Sequence, residues 1–321
     1  NDVPCYIASK RVLREGGYEV DGSMLYYARP IRLAPEAEDI VVATAQKLLP
    51  HRFYSAESRL EFPSPKSPAD SLKSIRTNPD DNLVVELVAA EPLIVDPVAF
   101  DWGPDGRLWV VEMRDYPNGM NWNGPGEPHG SAGGRIKVLD DDDGDGVYDR
   151  AQLFLDNIPF PTGIKVWRDG VLYTAAPEIV FARDTDGDDV ADETETLFRG
   201  FGEGNQQHRV NGLRWRLDNT LYVGNGDSGG NIMSEETGAR VNVGGRDLKI
   251  DPDTGHLEAL SGQTQFGVCR DDYGNWFGGN NSDPMWHYVL EDRYLRRNLL
   301  SPPARVRKQV SVRPGTAPVY P

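Results

Sequence analysis

Apolar and polar positions alternate in short runs along most of this chain, and helical stripes are few. From residue 80 onward one unit recurs: an apolar strand, a polar turn carrying Gly or Asn, then a second strand opening on a pair that includes an aromatic. It runs from Phe100 to Val111 around Asp105-Gly106, from Ile164 to Tyr173 around Asp169-Gly170, from Leu213 to Val223 around Asp218-Asn219, and from Val268 to Phe277 around Gly274-Asn275. Alternation with a period of two marks half-buried strands. Gly and Asn accept positive φ at least cost, so Gly106, Gly170, Asn219 and Gly274 are expected at hairpin turns of that kind. A four-stranded blade takes roughly 40–50 residues. The repeats therefore predict an all-β fold, an incomplete β-propeller with about five blades over residues 80–321. A two-sheet sandwich also has many hairpins, but it lacks a recurring hairpin signature.

The preceding segments differ. Residues 1–55 read as α/β, with short strands near Tyr6 and from Ser23 to Tyr27. A helix is expected from Pro35 to Leu49, where Ala37, Ile40, Val41, Ala45 and Leu48 form a stripe and Pro50 stops it. Residues 56–79 form a linker rich in Pro and Ser, in which Ser67 caps a short helix ending near Ile75. The domain boundary falls in that linker.

Charge and composition narrow the function. The net charge of -16 argues against a nucleic-acid surface, which needs concentrated Lys and Arg. The one basic run, Arg293 to Lys308, is broken by Pro302 and Pro303 and reads as solvated surface. No apolar run is long enough to span a bilayer. Cys5 and Cys269 are too few for a disulfide framework, and no CxxCH motif occurs. Much of the acidity sits in two loops. Asp141, Asp143, Asp145 and Asp149 repeat the spacing of a calcium loop, with Gly146 at the sharp turn. Asp184, Asp186, Asp188 and Asp192 repeat it again. Calcium takes six to eight oxygens, which alternate carboxylates supply well. The alternative is a solvated acidic turn.

Two resemblances follow from longer stretches. The segment from Val85 to Leu93, the run Leu108 to Pro117, Phe160-Pro161-Thr162-Gly163, Gly202 to Gly212, Asn225 to Gly230 and Gly278 to Ser282 together resemble a membrane-bound dehydrogenase family of planctomycete-type bacteria. That propeller often precedes a CxxCH haem domain. It resembles in turn the soluble glucose/sorbosone dehydrogenases, quinoproteins that use pyrroloquinoline quinone (PQQ) and calcium. Residues 1–50, with Asn1 to Ile7 and Gly17-Tyr18-Glu19, resemble the end of a neutral/alkaline ceramidase-type domain. In such a domain Tyr6 would help bind zinc, while the other ligands and the nucleophile would precede Asn1. The chain is accordingly read as a fragment of a longer protein, secreted or periplasmic.

The dehydrogenase resemblance implies oxidation of a sugar or polyol, with electrons passed to a haem domain outside this chain. It makes His208 the general base, since a neutral imidazole suits removal of a hydroxyl proton. Around it, Arg209, Asn211, Asn225, Asp227, Gln263, Asn280, Asn281 and Trp286 are candidates for cofactor or substrate contacts. Trp suits stacking on a sugar ring and amides suit its hydroxyls. One departure stands out. The family places an Arg-Asn pair where Gln263 and Thr264 stand here, and PQQ carries three carboxylates. Arg209, Arg246 and Arg270 are the cations that would have to compensate. The rival reading is a calcium-stabilised propeller that binds a glycan or protein without catalysis.

Overall fold

A computed structural model of the chain describes residues 66–77, 82–116, 132–295, 297, 300 and 306–310. The chain divides into two compact units, residues 1–66 and 67–321. The strands and helix expected within residues 1–55, Tyr6 included, lie outside the described residues. The short helix expected within the linker segment forms. In α1 (Pro68–Ser74) Pro68 opens the first turn, and the Ser67 hydroxyl accepts from the Asp70 amide at 3.1 Å.

The second unit is an incomplete β-propeller of antiparallel sheets. The first blade runs β1 (Pro97–Trp102), β2 (Leu108–Glu112), β3 (Gly134–Asp140) and β4 (Arg150–Ile158), paired in chain order. The second runs β5 (Gly163–Trp167), β6 (Gly170–Ala175), β7 (Glu178–Arg183) and β8 (Glu193–Phe201). The third is built from β9 (Asn211–Trp215), β10 (Leu221–Gly224), β13 (Leu248–Ile250) and β14 (Leu257–Ala259). Between β10 and β13 the chain makes a hairpin, β11 (Gly230–Ser234) and β12 (Arg240–Asn242), which pairs with β8 and so extends the second blade. The fourth blade runs β15 (Cys269–Arg270), β16 (Trp276–Gly278), β17 (Trp286–Tyr288) and β18 (Arg307–Gln309). The described residues thus hold four blades where about five were expected. The β11–β12 hairpin and the long β2–β3 connection take up the extra length.

Each repeated hairpin is the first pair of strands of one blade. Gly106, Asn219 and Gly274 take positive φ, at 84°, 61° and 85°. Gly170 does not. In that turn Arg168 carries the positive φ, 54°. Gly170 is required for a different reason: a Cβ there would meet the Ala182 carbonyl oxygen at 2.0 Å.

Alternation along the strands explains why the sheets stack. Val171 and Tyr173 face Trp109, Val111, Ile136 and Phe154 of the first blade. Their neighbour Leu172 points the other way and joins Phe181, Leu213, Leu221 and Leu248 between the second and third blades. Tyr222 and Leu260 then meet Val268, Trp286 and Tyr288 between the third and fourth. A sheet buried on both faces is the propeller arrangement, and a sandwich buries only one face of each sheet. The first strands β1, β5 and β9 contact one another in turn, as strands lining a common axis do. Among the described residues no core cluster joins the fourth blade back to the first.

Candidate functional site

Antiparallel order sorts the connections into two ends. Turns between the first and second strands, and between the third and fourth, share one end of every blade. Turns between the second and third strands share the other end with the crossings from blade to blade. Contacts agree with this division. At the hairpin end Arg107 in the β1–β2 turn reaches Asp189 in the β7–β8 turn at 2.6 Å. At the crossing end Gln207 donates to the Tyr116 hydroxyl at 2.7 Å.

The two acidic loops lie at the hairpin end, in the β3–β4 and β7–β8 turns. Carboxylate oxygens of Asp141, Asp143 and Asp149 lie within 4.8 Å of one another, and those of Asp184, Asp186 and Asp192 do the same. Oxygens around a calcium ion at about 2.3–2.6 Å stand that close, so both triads fit the ion. Asp145 and Asp188 do not join them. Each instead accepts from a backbone amide two residues on, Val147 and Val190. Arg150 answers part of the first cluster, at 2.9 Å from Asp142 and 3.4 Å from Asp140. In the second, Asp188 and then Asp192 push the Asp186 carboxyl above its ordinary value. Hydrogen bonds from the amide and hydroxyl of Thr185 hold Asp192 below its own.

The remaining candidates lie at the crossing end. His208 ends a short 3₁₀ turn, Gln206–His208, on the crossing between β8 and β9. Asp227 follows β10, at a φ of 68°. Gly226 lets the two segments meet, because a Cβ at Gly226 would sit 2.0 Å from the Arg209 carbonyl oxygen. The Ser228 hydroxyl donates to the His208 carbonyl and ties them. His208 Nδ1 thereby stands 3.7 Å from Asp227 Oδ2, both side chains partly exposed. Gln265, on the crossing from β14 to β15, completes the group. Its amide nitrogen lies 3.3 Å from His208 Nε2 and 3.3 Å from Asp227 Oδ2, and its Oε1 accepts from the Asn281 amide at 3.1 Å. Sequence reasoning named Gln263 and passed over Gln265. Gln263 is half-buried on the same crossing, and Thr264 is buried.

The other expected residues have other partners. Asn211 is buried, donating to the carbonyls of Arg209 and Gln265 and accepting from the Gly267 amide. Asn225 is buried and donates to the carbonyls of Val243 and Arg246. These two amides serve the backbone and offer a ligand nothing. Asn280 caps its own turn through the amides of Ser282 and Asp283, while Asn281 stays exposed. Trp286 is the clearest correction. It is 2 % exposed in the core between blades, with the Arg307 guanidinium 4.4 Å from its ring centroid, so no face is free for a sugar.

A cavity of about 420 Å³ opens beside the group, lined by Gln265, Phe266, Val268, Phe277, Asn281 and Met285 among others. Among the described residues no Lys or Arg lines it. Arg209 turns away, stacked on Phe160 and donating to the Glu203 carbonyl. Arg246 pairs with Asp292 at 3.1 Å. Arg270 donates to the adjacent Asp271 carbonyl. None of the three compensating cations converges on the cavity, so the residues described there do not fit a tricarboxylate quinone.

A family profile described as a domain of unknown function, DUF7133, matches residues 67–321. No curated protein matches the chain. Among solved structures it is similar to a luciferin-regenerating enzyme, with 16% identity, 59% of this chain and 52% of that chain covered, and a TM-score of 0.34. It is similar to a chain of a nidogen/laminin complex, with 11% identity, 60% and 74% covered, and a TM-score of 0.34. A catalytically inactive virginiamycin B lyase from Staphylococcus aureus with quinupristin gives 11% identity, 63% and 55% covered, and a TM-score of 0.34. The chain spans about half the length of the luciferin-regenerating enzyme.

Proposed function

The chain belongs to the DUF7133 family, and from that premise we propose that its propeller acts on a neutral sugar- or polyol-like molecule at the crossing end of the blades. The observation that carries the reading is the His208–Asp227 pair, at 3.7 Å beside a cavity of mixed apolar and amide character. A carboxylate beside Nδ1 orients an imidazole and favours the imidazolium that forms when Nε2 takes a proton. His208 is the base for the substrate hydroxyl. Oxidation of the same carbon would need a two-electron hydride acceptor supplied from outside the described residues, a quinone- or flavin-type carrier or the assay dye, because a haem takes one electron at a time; a haem domain outside this chain is the eventual electron acceptor in this reading. Apolar walls suit the ring face of such a substrate, and Asn281 and Gln265 suit its hydroxyls. The reading includes a secreted or periplasmic setting. Among the described residues no helix is long and apolar enough to cross a membrane. It also takes residues 1–55 as ceramidase-like in kind, joined by the 56–79 linker.

Charge supplies the test of substrate class. With Asp227 at the site and no cation among the described residues lining the cavity, sugar acids should bind about tenfold or more weaker than the matching neutral sugars or polyols. Calorimetry on the full chain compares them. Equal or tighter binding of the acids would remove the neutral-substrate reading. The absence of lining cations also favours the rival, a propeller that binds a glycan without turnover. Binding that persists in a protein unable to reduce a dye would select the rival.

Calcium at the hairpin end belongs to the same proposal. Asp141, Asp143 and Asp149 would hold one ion, and Asp184, Asp186 and Asp192 a second. Calcium at about 100 times its Kd should stabilise the fold by about 2.7 kcal/mol per site. Asp143→Ala should remove the contribution of the first loop and Asp186→Ala that of the second. Thermal unfolding with and without calcium measures both, and an unchanged midpoint would leave two solvated acidic turns.

A further inference from the structure

We infer that Gln265 is a positioning residue that fixes the tautomer of His208, leaving Nε2 as the bare, proton-accepting nitrogen. The importance of this rests on the reading of His208 as a base, but the inference itself rests on hydrogen-bond logic. An amide nitrogen donates and cannot accept, and an amide oxygen accepts and cannot donate. The Gln265 amide has only one workable orientation. Its Oε1 takes the Asn281 backbone N–H at 3.1 Å, and its nitrogen faces the Asp227 carboxylate at 3.3 Å, where an oxygen would be repelled. The same nitrogen lies 3.3 Å from His208 Nε2. Nε2 must therefore accept. In the neutral ring the proton then sits on Nδ1, facing Asp227 at 3.7 Å.

The backbone holds Gln265 firmly enough for this task. Its N–H donates to the Gly279 carbonyl at 3.1 Å, and its carbonyl accepts from Asn211 at 2.8 Å. The side chain is buried and lines the cavity, whereas His208 and Asp227 do not. Gln265 thus stands between the cavity and the imidazole. Its N–H already takes the Nε2 lone pair at 3.3 Å, so a hydroxyl that reaches Nε2 from the cavity must displace it. A hydroxyl arriving from the cavity takes over the hydrogen bond that the amide makes in the free protein, and finds the lone pair already aimed.

The experiment is nitrogen-15 NMR of histidine side chains in the full chain at alkaline pH, with the His208 signals identified by their loss in His208→Asn. The wild type should show Nδ1 protonated and Nε2 bare. Gln265→Leu, which removes the donor at similar volume, is made together with Asp227→Ala, which removes the carboxylate that also favours a proton on Nδ1; His208 should shift toward the Nε2–H form that free histidine prefers in this double variant and keep Nε2 bare in Asp227→Ala alone. Gln265→Glu keeps an acceptor for Asn281 and presents an acceptor to the ring, so His208 should carry a proton on Nε2. It provides the same test if the double variant fails to fold. A protonated Nε2 in the neutral ring of the wild type or of Asp227→Ala, or an unchanged bare Nε2 in the folded double variant or in folded Gln265→Glu, overturns the proposal whatever the activity. The expected tautomers in a protein that oxidises nothing would overturn the enzymatic reading and leave the role of Gln265 standing.

Discussion

Asp247→Ala should cost the propeller about 3 kcal/mol or more, because it leaves several buried donors without their acceptor at about 1–3 kcal/mol each. The carboxylate is fully buried where the third blade meets the fourth. Its Oδ1 accepts from the amides of Asn225 and Thr264, both at 2.9 Å, and its Oδ2 accepts from the hydroxyls of Tyr222 and Thr264, at 2.8 and 2.6 Å. Thr264 passes the network to the Tyr288 hydroxyl at 2.8 Å. Alanine removes the acceptor of four hydrogen bonds at once; the Thr264 hydroxyl can turn to Tyr288, and the Asn225 and Thr264 amides and the Tyr222 hydroxyl keep the desolvation they had already undergone. Asp247→Asn keeps Oδ1 and should lose less than half as much. Burial pushes the Asp247 carboxyl above its ordinary value, against the hydrogen bonds that hold it down. A raised folded-state value means that the folded protein binds the proton more tightly. This group's contribution to stability is therefore fullest below the ordinary carboxyl range and is lost as pH rises through the raised value. Asp247→Asn should flatten that part of the profile. Urea unfolding across pH checks both statements, and an alanine variant as stable as wild type would contradict the first.

The Asp247 network also shows what a sequence conceals. Asp247, Asn225, Thr264 and Tyr288 lie far apart in the chain and belong to no local pattern, so nothing in their spacing announces a shared hydrogen-bond cluster. The hairpins were legible because their signal is local. Alternating apolar residues, an aromatic after the turn and a residue tolerant of positive φ all sit within about a dozen positions. Gly170 fits the repeat by eye and still has a different reason, contact with a neighbouring strand, which only pairing reveals. The β11–β12 hairpin reads as an ordinary pair of strands. That it serves the second blade from within the third follows from tertiary pairing with β8.

The same division holds at the site. His208 and Asp227 are candidates through the expected dehydrogenase resemblance, and the fold brings them within 3.7 Å of each other. Gln265 follows Gln263 and Thr264 with no sequence signal of its own. No residue type distinguishes a glutamine that orients an imidazole from one that faces water. Trp286 was misjudged for a related reason. An aromatic beside amides suggests a sugar platform, but its place at the start of β17 turns it into the core between blades.

His208→Ala should lower sugar- or polyol-dependent turnover by about 10²–10⁴-fold, the usual loss when a positioned base is removed. The side chain is partly exposed, and its contacts are with Gln265 and Asp227. The loops at this end are held through the backbone, by Ser228 on the His208 carbonyl and by Asn211 between the crossings. Alanine leaves those bonds in place, so the unfolding midpoint should stay nearly unchanged. A large fall in stability would make His208 structural. Asp227→Asn should reduce turnover less than alanine at His208, since the base would remain with a weaker partner.

The central claim is that this end of the propeller takes a proton from a neutral hydroxylated substrate. Substrate-dependent reduction of a redox dye, measured on wild type and His208→Ala with the same neutral sugars and polyols, tests it most directly. The account predicts reduction by the wild type and a rate about 10²–10⁴-fold lower in the variant. Equal rates in the two proteins, or a wild type that binds these molecules and never reduces the dye, would contradict it.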